Sequence, residues 1–167
     1  NPAFNLLFCM YFEILLKTME GGDRCFQLTI IMKSEIYAYF SLRGLDFEPE
    51  EITAQVGLIP TKTWKVGDLI NPKATILRKR KENYWSLRPE FKESIYLEDY
   101  VQYLLEQLEP GWLPLTEICQ KYYAEINCVI YAVGDERPAI HFNKEIIEKI
   151  AKLNAEIDID LYFLPDN

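Results

Sequence analysis

The ligands of structural zinc are scarce in this chain. His141 is its single histidine, and none of its four cysteines, Cys9, Cys25, Cys119 and Cys128, forms a Cys-x-x-Cys pair. Structural zinc takes four Cys or His ligands at short spacings, so no zinc site is expected. A glycine-rich phosphate loop is missing, which removes support for nucleotide hydrolysis. So is any Gly-x-Ser-x-Gly or comparable signature, and catalysis by His141, flanked by Ile140 and Phe142, would need a partnered nucleophile or acid that no motif supplies. The most apolar stretch, Phe4 to Leu16, is broken by Glu13 and falls short of the about twenty residues of a membrane helix. It has neither the basic start nor the small-residue cleavage site of a secretory leader. The expectations are therefore no cofactor, no metal, no membrane and no assigned catalytic residue.

What is present suffices for a core. Apolar residues make up 49% of the 167, and a chain of that size buries roughly two-thirds of its unfolded surface, so no staple is required. Cys119 and Cys128 fall on apolar faces of an expected helix and strand, which reads as buried free thiols in a reducing compartment. The net charge of -8 is uneven: residues 33–81 hold nine Lys or Arg against six Asp or Glu, and residues 82–167 hold seven against seventeen. The acidic half repels nucleic acid and anionic lipid and suits a basic partner surface, although solubility alone also accounts for it.

Clean strand periodicity begins just after Met32. The expectation is an N-terminal extension over residues 1–31, upstream of a natural start at Met32, and a single domain over residues 32–167. Mass spectrometry of the protein from its own source tests this, and an N-terminus well before Met32 refutes it. The alternative is an amphiphilic helix over Phe4–Leu16 packed on the domain.

Within the domain, Ser34–Gly44 alternates, with Ile36, Ala38, Phe40 and Leu42 on one face, which marks a half-buried strand. Phe47–Leu58 reads as a helix with Pro49 at its start, Glu50 and Glu51 in the first turn and Gly57 as its stop. Asn83–Arg88 is a second strand with Trp85 and Leu87 on one face. Tyr96–Leu108 is a helix whose apolar residues recur every three or four positions. Leu113–Tyr123 resumes as a helix or turn, and Ala124–Gly134 is an apolar, central strand. Ala139–Phe142 reads as a brief strand, and Asn143–Asn154 as a helix capped by Asn143. In the last strand Ile157, Ile159, Leu161 and Phe163 point inward and Glu156, Asp158, Asp160 and Tyr162 outward. The order implies an α+β domain: a mixed sheet of four or five strands with helices mainly on one face. Two strand–helix–strand units, in a ferredoxin-like split arrangement, flank a helical insert.

Several stretches resemble one family in their order. They are Glu48–Ile52, Gly57–Thr61, the Gly67–Asp68 pair, Trp85 in its strand, and Asp160–Tyr162. Together they are similar to domain of unknown function 4279, over about residues 35–163. The resemblance implies a small bacterial cytosolic protein and no particular activity.

The candidate site residues fall in two groups. Pro60, Thr61, Trp64, Gly67 and Asp68 lie in the loop Pro-Thr-Lys-Thr-Trp-Lys-Val-Gly-Asp, where Trp64 could cover a ligand together with Trp85. The same residues also make an ordered loop, with Pro60 and Gly67 shaping the chain and Trp64 plugging a sheet edge. Asp158, Asp160 and Tyr162 lie on the outward face of the last strand; carboxylates about 7 Å apart along a strand do not converge on one ion. The basic run Arg78–Lys81 reads as a solvated hairpin-like loop rather than a nucleic-acid footprint. The functional expectation is a non-enzymatic interaction protein that binds a partner with a basic surface, such as an immunity-type inhibitor of a toxin. The alternative is a small-ligand binder or enzyme using the 60–68 loop with Trp85. The oligomeric state is not encoded in any of these features.

Overall fold

A computed structural model describes residues 12–17, 27–91 and 94–166. Strands β1 (Phe12–Lys17) and β2 (Gln27–Met32) pair antiparallel as a separate two-stranded sheet. The helix considered for Phe4–Leu16 is thus not what forms from Phe12 onward; its earlier part, and Cys9 and Cys25, lie outside the described residues.

The domain proper runs β3 (Glu35–Gly44), α1 (Pro49–Val56), β4 (Lys62–Trp64), β5 (Asn83–Leu87), α2 (Leu97–Leu108), α3 (Trp112–Cys119), β6 (Tyr123–Val133), α4 (Lys144–Lys152) and β7 (Glu156–Leu164). Its five strands form one mixed sheet in the order β4-β5-β3-β6-β7. All neighbours are antiparallel except β6 and β7, which are parallel. The class is α+β, as the alternation of strand and helix patterns implies, with two strand–helix–strand units around the insert α2–α3.

Local chemistry explains the helix ends. Pro49 opens α1, and Gly57 closes it at φ 69°, donating its N–H to the Thr53 carbonyl; that left-handed conformation favours glycine. The Asn143 side chain accepts from the Ile146 N–H at 2.9 Å and so caps α4. Asn143 is itself held by Glu98 of α2, whose Oε1 accepts from the Asn143 side-chain amide at 2.6 Å.

The stripe of α2 is wholly buried. It packs on alternate sheet residues, Phe40 and Leu42 of β3, Trp85 of β5, Ile126 and Ile130 of β6, with Leu115, Ile146 and Leu153 from the other helices. Trp85 is completely enclosed, and its Nε1–H donates to Thr53 Oγ1 at 3.0 Å, which satisfies the one polar atom the ring takes into the core.

Three features depart from expectation. Ala139–Phe142 forms no strand; β6 already has β3 on one side and β7 on the other, and the segment only links β6 to α4. Trp64 sits in a three-residue edge strand rather than a loop. The apolar row of β7 lies on the core side but is not enclosed: α4 packs against α2, and Ile157, Ile159, Leu161 and Phe163 stay 36–59% exposed.

Candidate functional site

The other alternate positions build the opposite face of the sheet, the helix-free face, which no helix among the described residues covers. Register lines them up across the strands. One row is Trp64, Tyr84, Arg43 and Tyr123; the next is Lys62, Ser86, Ser41, Glu125 and Glu156. Beyond them lie Tyr39, Asn127 and Asp158, then Tyr37, Val129 and Asp160, then Glu35, Tyr131 and Tyr162. Large rings and arginines thus surround small polar residues, and Ser41 and Asn127 are buried among them, joined by a 2.9 Å hydrogen bond from the Asn127 amide to Ser41 Oγ.

Charge divides across this face. At the β4–β5 edge, Trp64 stacks on Tyr84 with ring centroids 3.7 Å apart and planes within 4°, and the Arg80 guanidinium lies 3.8 Å above the Trp64 ring. That is a cation–aromatic sandwich. Arg88 lies 3.6 Å over Tyr37 and pairs with Glu35 at 3.1 Å. In the middle, Arg43 pairs with buried Glu125 at 2.9 Å. The Tyr123 hydroxyl donates to Glu125 at 2.8 Å and lies 3.1 Å from Glu156. At the β7 edge, Glu156, Asp158 and Asp160 stand in a row, and among the described residues no salt bridge reaches Asp158 or Asp160.

Three phenols of this face and the two buried thiols are held in their protonated, neutral forms. Burial pushes the Tyr37 and Tyr39 phenols up, and the hydrogen bond to Glu125 does the same for Tyr123. Burial pushes the Cys119 and Cys128 thiols up to about 12, so neither is a thiolate at neutral pH. His141 is exposed, outside this face. A groove of about 280 Å³ opens beside Tyr123, Asn154 and Glu156. Among the described residues, no group of three or more His, Cys, Asp or Glu converges to hold a metal, and no helix is long and apolar enough to cross a membrane.

The polar residues singled out in the 60–68 loop hold its turns and tie it to the end of β5. Thr61 Oγ1 donates to the Arg88 carbonyl and accepts from the Arg88 N–H. Asp68 accepts from the Lys65 N–H at 2.7 Å, and Gly67, at φ 92°, donates its N–H to the Arg80 carbonyl. Pro60 is half-buried at the start of this turn. Arg78–Lys81 forms the returning side of the same hairpin-like loop, bridged at Leu69 and Lys79. Trp64 and Trp85 stand on opposite faces, since Thr63 is the residue opposite Trp85, so the two tryptophans line no common pocket. The loop group and the β7 group lie at opposite sheet edges. Four strand spacings separate them, about 19 Å, so they do not form one small-molecule site.

Sequence reading overlooked Asn83. It is buried; its amide donates to the Leu45 carbonyl at 3.1 Å and the Phe47 carbonyl at 2.6 Å, and its Oδ1 accepts from the Val66 N–H at 2.7 Å. One side chain thereby fixes two loops. Tyr123 and Glu125 were not singled out either, and Arg43 only as an outward-facing residue, because their roles depend on cross-strand register; Tyr84, considered as a stacking aromatic beside Arg78–Lys81, stacks on Trp64 under Arg80.

The family model for a domain of unknown function (DUF4279) matches residues 34–164, and the chain belongs to that family. No curated protein and no solved structure matches the chain.

Proposed function

We propose that this domain is a non-enzymatic protein-interaction module of the bacterial cytosol whose partner presents a basic surface. An immunity-type inhibitor of a basic toxin is its most concrete form. The observation that carries this reading is the β7 edge of the helix-free face. There Glu156, Asp158 and Asp160 are exposed in one row, without a described cation beside Asp158 or Asp160. Such a row gains most from an approaching cation and steers it over a Debye length of about 8 Å at physiological salt. The surplus of ten acidic charges over residues 82–167 acts in the same direction. Burial keeps Tyr37, Tyr39, Cys119 and Cys128 protonated, so these four side chains are not activated nucleophiles.

The test is capture of partners on the tagged protein at low and at physiological salt, beside an Asp158→Asn/Asp160→Asn variant. One basic protein enriched at low salt, weakened by salt and by the variant, is the expected result. Absence of any stable protein partner at low salt sinks the reading.

A further inference from the structure

Strand β7 is the outer strand of the sheet, and every residue from Glu156 to Phe163 is exposed, on both faces. Edge strands this long and this uncovered are templates for another strand, and most proteins blunt them with short length, charged side chains, proline, a bulge or covering structure; of these β7 has only charge, the carboxylates Glu156, Asp158 and Asp160, which turn away any strand that does not bring cations to them. Here the strand runs nine residues, lacks proline, and keeps its pairing with β6 in unbroken register from Glu156 to Leu164. The core-side row, Ile157, Ile159, Leu161 and Phe163, is apolar and stays uncovered by the described helices.

The two rows say what fits. A strand added antiparallel or parallel to β7 sets its own alternate residues beside each row. A second copy of β7 is a poor occupant: a two-fold axis through the edge puts acidic row beside acidic row, and like charges directly opposite are destabilising. Cationic residues beside Glu156, Asp158 and Asp160, with apolar residues beside Ile157, Ile159 and Leu161, satisfy both rows together.

The geometry points to β7 as a docking edge for one extended segment of a partner protein, in which Lys or Arg alternates with apolar residues. This rests on the reading of the domain as a binder of basic partners and adds the mode: main-chain pairing supplies affinity, and the two side-chain rows supply specificity.

The probe is an acetylated, amidated peptide of alternating lysine and valine, nine residues long to match β7. It is compared with the same peptide N-methylated at alternate residues, and with an alternating glutamate–valine peptide. Binding is read by fluorescence anisotropy, and amide hydrogen exchange over residues 156–164 reports where the peptide lies. The lysine–valine peptide is expected to bind and to protect β7. N-methylation should abolish binding, because it removes the main-chain donors and leaves the charges. Asp158→Lys/Asp160→Lys should weaken binding by about tenfold, since each cross-strand ion pair changes affinity by roughly two- to fivefold. An unchanged melting temperature shows that the variant folds.

Equal binding of the N-methylated peptide overturns strand addition while leaving a charge-driven partner in place. Equal binding of the glutamate peptide overturns the chemistry assigned to the occupant. Protection of β7 amides before any peptide is added, in a dimeric protein, assigns the edge to a second copy. No peptide binding, with a basic partner still captured from lysate, overturns the edge and spares the broader reading; failure of both overturns both.

Discussion

Replacing Asn83 by alanine breaks three hydrogen bonds at once, and their surroundings set the cost. The Leu45 carbonyl and the Val66 N–H belong to exposed residues and regain water when the side chain goes. Each such loss costs about 0.5–1 kcal/mol, the net value of an ordinary hydrogen bond. Phe47 is only 4% exposed, so its carbonyl, bonded at 2.6 Å, is stranded. A stranded buried acceptor costs about 1–3 kcal/mol. The sum is about 3 kcal/mol, a large part of the roughly 5–15 kcal/mol that holds a domain together. With a urea slope near 2 kcal/mol per molar, the unfolding midpoint should fall by about 1.5 M. Asn83→Asp should do worse at neutral pH, because it sets a carboxylate against two carbonyl oxygens. Acid should narrow that gap, since a protonated carboxyl donates again; the folded variant then binds a proton that the unfolded chain releases, so stability falls as pH rises. A midpoint shift below about 0.3 M for Asn83→Ala would refute the reasoning and mean that water reaches the Phe47 carbonyl.

Three further outcomes follow from the same kind of accounting. Arg43→Ala should destabilise by about 2 kcal/mol and Glu125→Gln by under 1, because only the first leaves an enclosed carboxylate without its cation; urea unfolding of both variants decides, and equal losses contradict it. Trp85→Phe and Thr53→Val should show a coupling of about 1 kcal/mol in a double-mutant cycle, the value of the indole–hydroxyl bond; additive losses would mean that bond contributes nothing. In a Cys9→Ser/Cys25→Ser background, the remaining thiols should react with a disulfide reagent only as fast as the domain opens. Their values lie above the ordinary 9.0, at about 12, so the folded state keeps protons that the unfolded chain gives up, and stability should hold below about pH 9 and decline as pH rises toward 12. Fast labelling at neutral pH, or stability that rises over that range, would contradict it.

How far the sequence can be read depends on which forces write a local pattern. Strand β3 and helix α2 are legible because burial on one side imposes a repeat of two or of three and four, and each residue shows its side by its polarity. In β7 the alternation tells which side each residue takes but not whether that side is covered. Coverage depends on α4 leaning on α2, a packing choice between distant segments. Strand β4 has three residues, too few to make a period, and its register against β5 is what brings Trp64 onto Tyr84. The same register turns Trp64 away from Trp85, and only that pairing, which no local pattern reveals, rules out a pocket shared by the two tryptophans. Asn83 reads as an ordinary strand residue, since its partners lie up to 38 positions away. Gly57 and Asn143 were readable because capping is local.

The division of charge on the helix-free face bears on how a basic partner finds β7. The middle of the face is nearly self-neutralised, by Arg43 with Glu125 and Arg88 with Glu35. What remains is a cationic edge, Lys62 and Arg80 beside Trp64, and an anionic edge, Glu156, Asp158 and Asp160. These are about 19 Å apart, more than twice the screening length of about 8 Å at physiological salt. An approaching cationic segment therefore feels the carboxylate row without much opposition from the far edge. As salt is lowered the screening length grows to about 30 Å at 0.01 M, and the far edge comes within range. Capture should still strengthen at low salt, because the domain as a whole is acidic, but less steeply than the three carboxylates alone would dictate. The cationic edge also works against wrong registers: a basic segment displaced toward β4 meets Lys62 and Arg80, so the same charges that weaken long-range attraction confine docking to the β7 side.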